Sequence, residues 1–260
     1  ALNDGPSPMG YYLAGMAEHH GGVELENYIH DQFHETLIEF CRLAVERLHG
    51  VQRELNDKMA FEENCRELDL PCIEAFLRIG ANRSVTQVGA GAGAMTRAKR
   101  APSLFVKPAR GSQGRGTGRW DETDGSYIDA TGKSVSDFDA LLQYLTSQAV
   151  ASGTDLLVQE AVVNSSGVRA FGGRALSTVR LVTLRTSDGV IRPVQAGLRV
   201  AVRADAIVDN YHSGGVYFHV DYRTGVIGKG TSMHFANEPA YLTNPPGSNI
   251  RLTDSVVEGW

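Results

Sequence analysis

The chain has 260 residues and a mass of 28.1 kDa, room for one large domain or two small ones. Apolar residues make up 42% and charged residues 21%, so a buried core can form and wholesale disorder is excluded. A net charge of −5 and a pI near 5.9 argue against nonspecific nucleic-acid binding and against a basic membrane-docking surface.

No run of about 18 apolar residues occurs, and the chain does not open with a basic, apolar, then small-residue pattern. Neither a transmembrane helix nor a signal peptide is therefore expected. The three cysteines, Cys41, Cys65 and Cys72, fit neither a disulfide framework nor a zinc ribbon, and a reducing cytoplasm is the expected compartment.

Residues 1–23 are rich in glycine and proline and read as irregular. Leu25, Ile29, Phe33, Leu37, Cys41, Ala44 and Leu48 then recur every three or four positions, which predicts an amphipathic helix ending near Gly50. A second helix is expected from a cap at Asn56 or Asp57 to about Leu68. Residues 79–102, with the Gly-Ala repeat of 89–94 and the basic Arg97, Lys99 and Arg100, read as a loop or linker. A short strand at 104–107 leads into a glycine-rich loop. Residues 136–150 form a helix with Ser136 as candidate cap, and 156–163 form a strand. Two β-branched runs, 176–184 and 190–202, flank Asp188-Gly189 and predict an antiparallel hairpin. Further strands flank a turn at Thr224-Gly225, and the tail from Asn237 reads as irregular. Helices followed by a mixed, mostly antiparallel sheet define an α+β chain.

The segment most informative about chemistry is Phe105-Val106-Lys107-Pro108, followed by a loop carrying Gly111, Gly114, Gly116 and Gly118. A strand delivers a lysine to the base of a loop whose backbone N–H groups can approach an anion. The order differs from a Walker A loop, where the lysine follows the glycines. Residues 89–94 lack the Gly-x-Gly-x-x-Gly spacing of a dinucleotide fingerprint. His30 and His34 stand at i, i+4 without an evident third metal ligand. The loop 209–215, Asp-Asn-Tyr-His-Ser-Gly-Gly, gathers polar groups between strands around His212. Ser177, Ser213 and Ser232 sit in no Gly-x-Ser-x-Gly elbow, so a serine hydrolase is not expected.

Together these segments resemble the ATP-grasp superfamily. Asp57-Lys58, Phe61 and Leu70-Pro71 are similar to its early helix. Val106-Lys107-Pro108 with the glycine-rich loop, and Leu157-Val158-Gln159-Glu160, are similar to its phosphate strand and its adenine hinge. The closest likeness is to the sugar-transfer-associated branch, related to glutamate-adding carboxylate–amine ligases. It is carried by the runs 156–160, 175–183, 209–215 and 220–225, and it spans about residues 55–260.

The resemblance implies an ATP-grasp fold, two α+β subdomains gripping ATP, preceded by a helical region. The corresponding boundaries are 1–55 for the helical region, 56–102 for a helix and linker, 103–163 for the glycine-loop subdomain and 164–260 for the C-terminal subdomain. It implies ATP and Mg2+ as cofactors, with small-molecule carboxylate and amine substrates and no nucleic-acid or membrane partner. Lys58 and Lys107 would contact phosphates, with Lys107 also within reach of the adenine. Gly111, Ser112, Gln113, Gly114 and Gly116 would close over the triphosphate. Gln159 would face the adenine amino group, with the hinge backbone at Glu160 and Val162. Arg180 and Asn210 would stand near the γ-phosphate and the substrate carboxylate, and Arg199 is a further candidate.

The implied activity is ligation of a carboxylate to an amine or another nucleophile through an acyl phosphate. A small-molecule kinase and a catalytically silent nucleotide-binding module are the alternatives. The sequence departs from the family where an acidic strand and a Glu-x-Asn motif would hold magnesium, which leaves Asp209 and Asp221 as the candidate metal ligands. A shortened chain, a rearranged metal site and lost activity all remain open at this point.

Overall fold

The computed structural model describes residues 57–89, 93–111, 114–186, 188–203, 205–210, 214–232 and 241–260. The expected helix over 25–48 lies outside the described residues, and with it the helical reading of 1–55, His30, His34 and Cys41. So do Ser112, Gln113, Tyr211, His212 and Ser213. The described chain divides into two compact units. One holds the residues up to 177 together with 203–210, the other 178–202 and those from 211 onward.

Asp57 starts the first unit. Its carboxylate accepts hydrogen bonds from the N–H groups of Met59 at 2.9 Å and Ala60 at 3.3 Å, satisfying two donors that a helix leaves open at its start. Helix α1, Lys58–Glu67, follows, and the Leu70 N–H closes its end on the Cys65 carbonyl at 2.8 Å. Strands β1 (Ala75–Ile79) and β2 (Val85–Gln87) pair as a hairpin, and helix α2 occupies Ala94–Arg100. These elements replace the linker expected over 79–102. The small residues there serve packing: Ala94, Ala98 and Ala101 are buried and bring α2 close to the sheet, while Arg97, Lys99 and Arg100 stay exposed.

Strand β3 (Ser103–Pro108) precedes β4 (Gly118–Thr123), β5 (Ser126–Asp129) and β6 (Ser134–Val135). Helix α3 spans Phe138–Ser152. Its cap is Asp137 rather than Ser136: the Asp137 carboxylate accepts from the Ala140 N–H at 2.8 Å, and the Ser136 hydroxyl donates to the same carboxylate at 3.0 Å. Strand β7 (Leu156–Glu160) ends three residues earlier than expected, and a short helix α4 (Ser166–Gly172) follows it. The seven strands form one sheet in the order β2-β1-β7-β3-β4-β5-β6, with every neighbouring pair antiparallel.

The two faces of this sheet differ. On one, Leu77, Ile79, Leu104, Val106, Trp120 and Val158 join the buried residues of α2 and α3 in the main core. On the other, Ala75, Ala109 and Leu157 pack with Met59 of α1. Side chains alternate along a strand, so Phe105, Lys107, Leu157 and Gln159 share this second, more sparsely covered face.

The second unit is a four-stranded antiparallel sheet in the order β11-β10-β9-β8, made of β8 (Thr178–Arg185), β9 (Ile191–Val200), β10 (Val216–Val220) and β11 (Ile227–Thr231). The expected hairpin around Asp188-Gly189 is β8–β9. The single mixed sheet read from the sequence is thus two antiparallel sheets, and the α+β class stands. Residues 241–260, expected to be irregular, pair back along this unit through bridges Gly230–Leu242 and Val226–Val256.

Phe218 is fully buried, and a Cβ on Gly230 would meet its ring at 2.7 Å. The variant Gly230→Ala is therefore expected to destabilise this sheet by about 1–3 kcal/mol through overpacking, read as a lower midpoint in urea.

Candidate functional site

The base of the glycine-rich loop is stitched to the start of α1. The Lys58 N–H donates to the Ala109 carbonyl at 3.0 Å, and the Lys58 ammonium donates to the Gly111 carbonyl at 2.9 Å. Arg110 Nε donates to the Asp57 carboxylate at 3.1 Å. The loop joins β3 and β4 of an antiparallel hairpin and turns through positive φ at Gly111 (+114°), Gly114 (+71°) and Gly116 (+70°). The Thr117 hydroxyl donates to the Gly114 carbonyl at 2.7 Å and closes the final turn. A Cβ at Gly116 would approach Pro108 to 3.0 Å, and one at Gly114 would approach Val208 to 3.1 Å. These two glycines thus serve both the backbone conformation and the close approach.

Lys107 leaves β3 one residue before its end, half-buried on the face covered by α1. Burial pushes its pKa down. The Glu62 carboxylate opposes that shift, and the Lys58 ammonium adds to it. Burial also pushes Lys58 down, against the Asp57 carboxylate. Two partly desolvated ammonium groups within electrostatic reach of each other gain from an added anion, because it stabilises the charged form of both.

On the same face, Gln159 of β7 lies between Phe105 of β3 and Ala75 of β1. It is buried, and its Oε1 has no hydrogen-bond partner among the described residues. An orphaned buried acceptor costs stability unless a ligand donates to it. Just beyond β7, the Ala161 N–H donates to the Ser103 carbonyl at 2.9 Å, and the Val162 and Val163 side chains are exposed. On the opposite face, beneath the loop, a cavity of about 650 Å³ is lined by Val106, Trp120, Tyr144, Gln148 and Arg115, among others.

The remaining candidates fall as follows. Asp209 is buried and Asn210 half-buried, on the 203–210 segment that completes the first unit. In the second unit Arg199 is buried on β9, opposite Thr178 and Tyr217, and Arg180 stands exposed on β8 opposite Gly197. Asp221 opens the turn after β10, where its carboxylate accepts from the N–H groups of Arg223 at 2.8 Å and Thr224 at 3.1 Å. Those bonds hold its pKa below the ordinary carboxylate value.

The sequence profile of the family described as sugar-transfer associated ATP-grasp matches residues 50–260. The chain belongs to the sugar-transfer associated ATP-grasp family. No curated protein and no solved structure matches it. Membership implies ATP binding and an ATP-utilising, ligase-type activity on small molecules.

The first unit of this ATP-grasp protein fits the nucleotide. Lys58 and Lys107 offer positive charge, Gly111 has open space where a Cβ would stand, and Gln159 Oε1, without a donor among the described residues, is an acceptor suited to an exocyclic amine. A metal ion is different. Among the described residues no group of three or more His, Cys, Asp or Glu side chains could hold one, and Asp221 is engaged in its turn. Among the described residues no helix is long and apolar enough to cross a membrane.

Glu62 escaped the sequence reading. It stands four residues after Lys58 and three after Met59, an acid on the stripe that α1 buries. Its carboxylate accepts from the Ala75 N–H at 2.8 Å. Arg119 shares the Phe105 face too, but it is held by the Asp121 carboxylate at 3.0 Å and the Arg174 carbonyl at 2.9 Å.

Proposed function

We propose that the protein is an ATP-dependent ligase that joins a carboxylate to an amine, or to another nucleophile such as a thiol, through an acyl phosphate. The observation that supports this most is the placement of Lys58, Lys107 and the base of the glycine-rich loop on the face where Gln159 Oε1 lacks a donor among the described residues. In this reading Gln159 accepts from the adenine amino group, and the backbone at Glu160 and Val162 forms the hinge. Lys58, Lys107 and the loop 111–116 neutralise the phosphates. The substrate carboxylate attacks the γ-phosphorus and ADP leaves. The amine then attacks the acyl carbon and inorganic phosphate leaves. Both anions must be screened when they meet, and Arg180, Arg199 and Asn210 are the groups assigned to that task. Closure of the loop would keep water from the acyl phosphate.

The test is incubation with ATP, magnesium and a panel of amino acids and sugar acids, with hydroxylamine added as trap. ADP together with a hydroxamate is the expected result. ADP with a phosphorylated alcohol and no hydroxamate would replace the ligase by a kinase. Calorimetric ATP binding without any turnover would make the chain a silent nucleotide-binding module.

A further inference from the structure

The cavity beneath the loop lies on the helix-covered face of the seven-stranded sheet, away from Lys107 and Gln159, and every residue that lines it belongs to the first unit. Its volume of about 650 Å³ is that of a small-molecule site, roughly 300–1,000 Å³. One glycine keeps its floor open. Gly118 of β4 stands opposite Val106 of β3, and a Cβ added there would meet a single neighbour within 4 Å, Trp120 Nε1 at 3.6 Å. Trp120 is only 3% exposed, and its indole N–H has no hydrogen-bond partner among the described residues. A buried indole N–H ordinarily finds an acceptor. Its ring is held edge-to-face against Tyr144 of α3, with centroids 5.4 Å apart, so packing fixes where the donor stands.

The charges around the opening favour an anion. Arg115 is exposed at the rim, and its guanidinium has no ion-pair partner among the described residues. The acid at the rim, Asp129, is engaged in its own turn, where its carboxylate accepts from the N–H groups of Thr131 at 2.8 Å and Lys133 at 2.9 Å. The Lys133 ammonium adds a further cation, 3.7 Å from the centre of the Tyr144 ring. We propose that this cavity binds a small planar aromatic anion. Its ring packs on the apolar wall of Val106 and Leu156, and its charged oxygens accept from the Trp120 indole N–H and from Arg115. Indole and guanidinium groups donate and cannot accept, so they select an acceptor and reject a cation. The site lies on the face opposite the nucleotide reading and does not depend on it.

The probe is 1-naphthoate, added to the full chain with its two tryptophans, Trp120 and Trp260, labelled with 15N. The Trp120 indole signal is assigned as the one that survives in Trp260→Phe. It is expected to shift downfield and saturate as the N–H gains an acceptor, while the Trp260 signal stays in place. Gly118→Val, which sets a side chain on the cavity floor beside Nε1, is expected to abolish the shift. Arg115→Met is expected to weaken binding about tenfold, and the neutral 1-naphthalenemethanol to bind about tenfold more weakly than naphthoate. Absence of a saturable Trp120 shift, or an equal shift at Trp260, overturns the site. Equal affinity for the alcohol overturns the anionic class. Should Gly118→Val fail to fold, Arg115→Met and the alcohol decide. Loss of the shift in Lys107→Met but not in Gly118→Val would put naphthoate on the nucleotide face and overturn the proposal.

Discussion

Replacing Lys107 with methionine is expected to weaken AMP-PNP binding by about 100-fold or more and to abolish ATP turnover. Methionine keeps most of the stem that lies along the sheet, so the loss reports the charge and not the packing. The effect is large because the ammonium is half-buried: an ion pair to phosphate gains strength as water is excluded, and no mobile surface lysine can replace it. Lys58→Met is expected to cost less, since the Lys58 ammonium is already shared with the Gly111 carbonyl at 2.9 Å. Titration calorimetry on both variants gives the comparison. Equal and small effects would remove the two lysines from the phosphate site.

Gln159→Leu is expected to divide two quantities that usually fall together. The folded protein should keep its urea midpoint or gain slightly, because an apolar side chain replaces a buried acceptor that has no donor among the described residues. Affinity for ATP should fall by about 10–100-fold, and preference for ATP over GTP should collapse, because the purine amine loses its acceptor. If stability falls and nucleotide selectivity is untouched, Gln159 is a structural residue and the adenine lies elsewhere.

How much could be read beforehand depended on whether a feature was local. A cap at Asn56 or Asp57, the Lys107 strand with its glycines, and the β8–β9 hairpin around Asp188-Gly189 are set by neighbouring residues and legible in the linear order; the structure selects Asp57 as the cap. Helix α2 was not, because Ala94 and Ala98 are small in order to let the helix approach the sheet, and smallness alone looks like a linker. Strands β4, β5 and β6 carry many polar residues, with Trp120 and Tyr127 as their buried anchors, so their alternation is faint. Residues 166–172 hold two glycines and little apolar periodicity, which hid α4. Among the candidate site residues, Lys107 stands out in the linear order through its strand and glycines, whereas Lys58 and Gln159 enter only through the family resemblance. Glu62 was not legible, since whether a helical acid faces water or a sheet depends on what covers it. A strand arginine such as Arg199 reads from sequence as a surface residue as readily as a site residue, and in the structure it is buried.

The β8–β9 hairpin also has a bearing on how the protein can be handled. Thr178 and Arg199 face each other in register, so the two strands begin and end side by side. The chain leaves the first unit after residue 177 and re-enters it at 203, bringing Val208 back beneath Gly114. The hairpin is thus a guest excursion whose length is uncoupled from the spacing of its host. Residues grafted at its tip, beside Asp188 and Gly189, lengthen the excursion without pulling on either anchor. That tip is the place for an affinity tag or a fluorophore that leaves the pairing of β8 with β9 in register.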